Sequence, residues 1–201
     1  MFHRSIFALI VIAMFALASL ANAQTYEIDP AHTSIVFRCT HGGISHIYGF
    51  FTDVKGKVVS DATDVSKSSF EATINVDSIN TGVKKRDDHL KTADFFSVAE
   101  FPDISFKSTK VEKADPVELE KGKPALPTFR VTGDLTMHGV TKPVTLLVHK
   151  LGESEFPKGS SRVGYVTQLD VKRSEFGMVN MIGPVSDDIH LDISFEAVNT
   201  K

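Results

Sequence analysis

Apolar and polar residues alternate strictly along much of this chain. In Ser69–Asp77, Phe70, Ala72, Ile74 and Val76 take turns with Glu71, Thr73, Asn75 and Asp77. In Arg162–Arg173, Val163, Tyr165, Thr167, Leu169 and Val171 fall on one face; in Asp188–Val198, Ile189, Leu191, Ile193, Phe195 and Ala197 do the same. A period of two with one polar face predicts antiparallel strands wet on one side. Ser34–Cys39, Gly49–Val59, Ile104–Thr109, Phe129–Leu135 and Val144–Lys150 add further strands. The pattern predicts an all-β fold of about eight strands, a barrel or a sandwich.

Between two of these runs, His138-Gly139-Val140-Thr141 reads as a hairpin turn. Val111–Pro127 and Gly152–Ser161, charged or polar with Pro and Gly, read as exposed loops. One segment breaks the strand pattern. Arg86–Phe96, "RDDHLKTADFF", reads as a short helix, and Pro102 ends the segment before the next strand.

The chain opens on a signal peptide pattern. Met1–Arg4 is a positive start, Ser5–Leu20 is apolar, and Ala21-Asn22-Ala23 supplies small residues at a cleavage site. Residues 1–23 are therefore expected to be removed before Gln24, leaving residues 24–201 as one exported domain, periplasmic or secreted. The one cysteine, Cys39, leaves such a protein without an internal disulfide and is expected to be a small buried residue.

Composition narrows the function. A net charge of -3 offers no basic surplus for nucleic acid. No G-x-S-x-G elbow, S-x-x-K, phosphate loop or dinucleotide fingerprint occurs, and no pair of histidines has the spacing of a helical metal site. Catalytic residues and metal ligands are thus expected to be absent. There are, however, 15 Phe and no Trp.

Phe37, Phe70, Ile74, Phe106, Tyr165, Leu169, Ile193 and Phe195 are expected to point inward. They either fill a core or line a tunnel for a long hydrocarbon, where each buried methylene gains about 0.8 kcal/mol and no motif is needed. Phe51, Leu135, Phe176 and the paired Phe95 and Phe96 join that candidate lining. Arg38, His41, Arg86, His89 and Arg173 are candidates for a polar rim that holds a head group.

Four motifs then occur in order: Tyr26–Phe51, Lys84–Thr109, Val131–Val148 and Arg173–Met178. Together they resemble the YceI-like family of lipid/polyisoprenoid-binding proteins, over essentially all of Gln24–Val198. The resemblance implies a lipocalin-like antiparallel β-barrel capped by the short helix. It also implies a bound polyisoprenoid, isoprenoid quinone or fatty-acyl chain in place of any cofactor. Arg86, Asp87, Asp88 and His89 would tie the cap to the rim, with Phe95 and Phe96 turned inward. The implied partner is the lipid; apart from the resemblance, a transient membrane or membrane-protein contact stays open, and exposed barrel edges or an open mouth could support a homodimer that nothing in the sequence demands. Two departures are mild: Ser97 replaces a usual acid and Thr33 a frequent Ser. Two other readings stay open. One is a lipid-acting or metal-dependent enzyme using His32, His41 or His89; the other is a redox helper that delivers a quinone.

Overall fold

The computed structural model describes residues 23–200. The expected signal peptide, apart from Ala23, lies outside the described residues. The strands are β1 (Ala23–His41), β2 (Ser45–Phe51), β3 (Val54–Asp61), β4 (Ser69–Asn75), β5 (Ile79–Asn80), β6 (Asp103–Val117), β7 (Leu126–Met137), β8 (Val140–Glu155), β9 (Ser160–Lys172) and β10 (Asp188–Thr200). One α-helix, α1 (Lys84–Leu90), stands between β5 and β6.

The long strand β1 closes the sheet. One edge pairs with β10, from Glu27 opposite Val198 to Arg38 opposite His190. The other edge pairs first with β3, from Ala23 to Glu27, and then with β2, from Ile35 to His41. The order β1-β3-β4-β6-β7-β8-β9-β10 therefore returns to β1 as a closed antiparallel barrel. Closure removes the exposed edges an open sheet would carry, and leaves β2 and the two-residue β5 outside the ring.

Two expected loops are strands instead. β6 continues to Val117 and β7 starts at Leu126, with Val111 opposite Val131 and both buried. Glu112, which reads as part of a loop, stands on the wet face, where it pairs with Lys110 at 2.8 Å. Likewise β8 runs to Glu155 and β9 starts at Ser160, with Gly152 opposite Gly164. The hairpin between β7 and β8 is as expected. His138 and Gly139 both take positive φ, 51° and 72°, the pair of left-handed residues that a two-residue turn requires. A Cβ on Gly139 would lie 2.5 Å from the Phe101 ring, so this turn has no room for a side chain.

The interior is packed at both ends. Tyr26, Val58, Val131, Val163, Tyr165 and Ala197 belong to one buried cluster. Ile35, Phe51, Val76, Ile79, Phe176 and Met178 belong to the other.

A helix of seven residues has little stability of its own. Thr81 fixes α1 to the barrel. Its backbone N–H donates to Asp87 Oδ1 at 2.8 Å, while Arg86 donates from Nε to the Thr81 hydroxyl at 2.7 Å and from Nη2 to the Thr81 carbonyl at 2.8 Å.

Candidate functional site

Between the two packed ends lies a cavity of about 400 Å3. Strand alternation builds its wall. Ile35, Phe37 and Cys39 enter from β1; Phe70, Ala72 and Ile74 from β4; Thr167, Leu169 and Val171 from β9; Leu191, Ile193 and Phe195 from β10. Phe106 and Leu135, cross-strand partners on β6 and β7, complete the far side. Phe37 fits because its partner across the ladder is Gly49: a Cβ there would sit 2.3 Å from the Phe37 ring.

The burial of these residues separates a cavity from a core. Phe37, Ile74, Phe106, Leu169, Ile193 and Phe195 face inward yet are only half-buried. In a close-packed interior, inward apolar side chains lose nearly all accessible surface. Here they retain it because the space in front of them is not filled by protein.

Of the expected apolar lining, Phe37, Phe51, Phe70, Ile74, Phe95, Phe96, Phe106, Leu135, Leu169 and Ile193 face this cavity. Tyr165 and Phe176 do not. Tyr165 is packed one layer below, its ring 5.5 Å from Phe70 and 5.4 Å from Phe195, and closes one end. Burial pushes its phenol well above the ordinary range. Phe176 is the buried apolar residue of a short 3-10 turn, Arg173–Phe176, at the other end. Its carbonyl accepts a hydrogen bond from His138 Nδ1 at 2.9 Å, joining that turn to the β7–β8 hairpin. Sequence spacing places both inward but cannot tell a plug from a wall.

The polar candidates divide in the same way. Arg38 alternates with Phe37 and Cys39 and therefore points outward, where Nη1 lies 3.4 Å from His46 Nε2. This corrects its placement at the cavity. His41, Arg86, His89 and Arg173 do border the cavity. His89 pairs with Asp94 at 2.9 Å and meets the Phe95 ring edge-on at 5.1 Å. Among the described residues Asp88 reaches only Lys84, on the exposed face of α1, so it does not tie the cap to the rim.

Arg173 is only 5% exposed. Its guanidinium donates to the carbonyls of Ser186, Met178, Asn180 and Val185 at 2.6–3.3 Å. The loop between Arg173 and β10 is thereby fastened over the cavity, carrying Met178, Met181 and Val185 into its wall. Burial holds the guanidinium below its usual range, though Asp187 favours its charge.

Residues beyond the sequence candidates include Cys39, Thr81 and Met181. Cys39 follows directly from the alternation with Phe37. Met181 lies in a loop without periodicity, so no sequence signal marks it.

His32 stands apart from the cavity. Asp29, His32 and Glu196 bring one ligand atom each within 4.8 Å of one another. Arg162 Nη1 already donates to Asp29 at 2.8 Å and to Glu196 at 2.9 Å, so this cluster is a charge-paired clasp across the barrel seam.

Known proteins share this architecture. The structure of BcnA from Burkholderia cenocepacia superposes with a TM-score of 0.71 at 21% identity, covering 85% of this chain and 99% of that one. The Campylobacter jejuni YCEI protein gives a TM-score of 0.67 at 30% identity, covering 79% and 88%. A polyisoprenoid binding domain from Saccharophagus degradans, implicated in plant cell wall breakdown, gives 0.62 at 14% identity, covering 89% and 99%. In sequence, Protein YceI of Salmonella arizonae is 37% identical over 195 residues, 93% of this chain and 96% of that protein. Residues 26–197 match the YceI-like domain. By fold, by sequence and over nearly its whole length, this chain belongs to the YceI-like family.

Proposed function

We propose that this protein is a non-catalytic carrier that holds one long apolar lipid inside the barrel. A polyisoprenoid, an isoprenoid quinone or a fatty-acyl chain fits the description. The observation that carries this reading is the half-buried state of Phe37, Phe106, Leu169 and Ile193, which point into the barrel and line its cavity while keeping part of their surface uncovered by protein. The volume, about 400 Å3, falls in the range of small-molecule sites. A hydrocarbon chain gains about 0.8 kcal/mol for each methylene it buries in such a wall, without specific polar contacts. The polyisoprenoid binding domain of Saccharophagus degradans has the same fold, which supports the reading.

The signal-like residues 1–23 support a mature protein that works in the periplasm or outside the cell. A carrier in that space must exchange lipid with a membrane. Ile44, Val179, Met181 and Ile182 are exposed apolar residues. They lie on two loops joined by the Gly42 N–H donating to the Pro184 carbonyl at 2.8 Å. Met181 also lines the cavity, so this apolar lip leads from the outside to the ligand space.

Native mass spectrometry of the purified protein, followed by organic extraction, tests the reading. One co-purifying isoprenoid or acyl species at a stoichiometry near one is the expected result. A clean apo mass with no lipid uptake on later addition would overturn it.

A further inference from the structure

Asp61, the last residue of β3, is 5% exposed. Its Oδ1 accepts from the Thr63 N–H at 2.9 Å, the Thr63 hydroxyl at 2.7 Å and the Asp64 N–H at 2.8 Å. These donors, the Thr63 hydroxyl first, hold the carboxyl below its ordinary range, so it is charged at neutral pH. Its Oδ2 is buried and has no hydrogen-bond partner among the described residues. The charges around it are committed elsewhere. Lys67 reaches Asp64 at 3.5 Å. In the polar recess that Asp61 borders below Tyr165, Lys150 pairs with Glu153, and Lys113 is exposed.

The sheet brings one further nitrogen to this oxygen. β1 pairs with β3 so that Ala23 stands opposite Asp61 and Gln24 opposite Ser60. Opposed residues share a face, with Cβ atoms about 4.5–5.5 Å apart. The Gln24 nitrogen, bonded to the Ala23 carbonyl carbon, is therefore within reach of the Asp61 side chain. Gln24 is also held in place, since the Tyr26 hydroxyl donates to its Oε1 at 2.5 Å. Ala23 is the last residue of the leader expected to be removed.

A buried carboxylate oxygen without a donor is unfavourable. We infer that leader removal supplies the donor: the new α-ammonium of Gln24 pairs with Asp61 Oδ2 and latches the start of β1 onto the end of β3. The step is hydrolysis of the Ala23–Gln24 peptide bond by the export peptidase. The C–N bond breaks, the water oxygen goes to the Ala23 carboxylate, and both water protons go to the Gln24 nitrogen. In the precursor that nitrogen is a neutral amide and cannot form the ion pair. Chain ends fray unless they are tied down, and here the end lies at the seam that closes the barrel. Processing thus completes closure at the Tyr165 end only once the protein has been exported. This rests on the export reading and is independent of what the cavity binds.

The test expresses the full chain with its leader and measures the intact mass of the exported protein, which should begin at Gln24. Its α-amino group is then titrated by the pH dependence of acylation with acetic anhydride, read on the N-terminal peptide so that lysines do not contribute. The expected pKa lies about one unit or more above the ordinary value of about 7.7–8.0, the scale of a carboxylate at contact distance. In Asp61→Asn, which keeps an oxygen for the loop and replaces Oδ2 by an N–H donor, the rise should vanish. Asp61→Glu, which keeps the charge, should recover part of it, and Asp64→Asn should leave it in place. An ordinary value in the parent protein, or a rise that persists in Asp61→Asn, overturns the pairing and leaves export intact. So does a Gln24 that arrives cyclised with loss of ammonia, because no ammonium then exists. A chain that keeps its leader, or begins at another residue, overturns the cleavage point and the pairing with it.

Discussion

The guanidinium of Arg173 lies over the Phe95 ring, its central carbon 5.9 Å from the ring centre. The His89 ring meets the same phenylalanine edge-on, so Phe95 is held between the cap and the loop that Arg173 fastens. Phe96, its neighbour in sequence, is half-buried and meets Phe51 edge-on at 6.1 Å. The pair is thus divided: Phe95 is wall, Phe96 is nearer a gate. Phe95→Ala is expected to cost about 3–5 kcal/mol, as buried Phe truncations do. Phe96→Ala should cost clearly less and should speed release of bound lipid. Denaturant unfolding and a lipid off-rate, measured on both variants, separate the two roles. Equal stability losses with unchanged release would show that neither ring gates the cavity.

That division marks where sequence reading reaches its limit. Alternation in β4, β9 and β10 gave the barrel wall residue by residue, because side-chain direction in a strand has a period of two. The same rule, applied from Phe37, sends Arg38 outward. Loop character read from charge failed at Lys110–Lys113, where charged residues flank the buried Val111 on a strand wet on one side. Whether Tyr165 plugs or lines depends on which layer of the barrel it occupies, and layer is set by register with β10, a long-range property. The loop that seats Arg173 has no periodicity, so its four carbonyls could not be foreseen.

Ala72 faces the cavity from β4, opposite Phe106 across the ladder. In a filled core, Ala72→Phe would overpack and cost typically about 1–3 kcal/mol. Against unfilled space the added ring has somewhere to go. The expected outcome is a folded variant with stability close to that of the parent and a sharply reduced lipid stoichiometry. Thermal melting and native mass spectrometry check it. A strongly destabilised variant would mean that the wall near Ala72 is already packed.

Asp29 sits at the irregularity in β1 and clasps two other strands through Arg162, which also holds Glu196. The Arg162 guanidinium, then His32 at 2.8 Å, hold the Asp29 carboxyl below its ordinary range. The unfolded chain therefore takes up this proton first as pH falls. The contribution is complete above the ordinary carboxylate pKa of about 3.9 and is lost as pH drops through the lower folded value. Asp29→Asn should be less stable than the parent at pH 7, and the gap should narrow toward pH 3. Urea midpoints at both pH values measure it. A gap that widens on acidification would show that Asp29 is not stabilised as a carboxylate.

Cys39 reports on the ligand space without any mutagenesis, since it is the one thiol in the chain and it faces the cavity. Thiol reagents attack the thiolate, and burial raises the Cys39 pKa, so labelling at pH 8 should be slower than for a free cysteine. A lipid that fills the chamber would also block the approach of a reagent through the cavity. Labelling of lipid-stripped protein should therefore slow further, by several-fold, as dodecanoate or dodecyl phosphate is added, and the dependence should follow the binding curve. If saturating lipid leaves the rate unchanged, lipid does not occupy the space in front of β1. The half-buried residues facing Cys39 would then need another explanation than a ligand chamber.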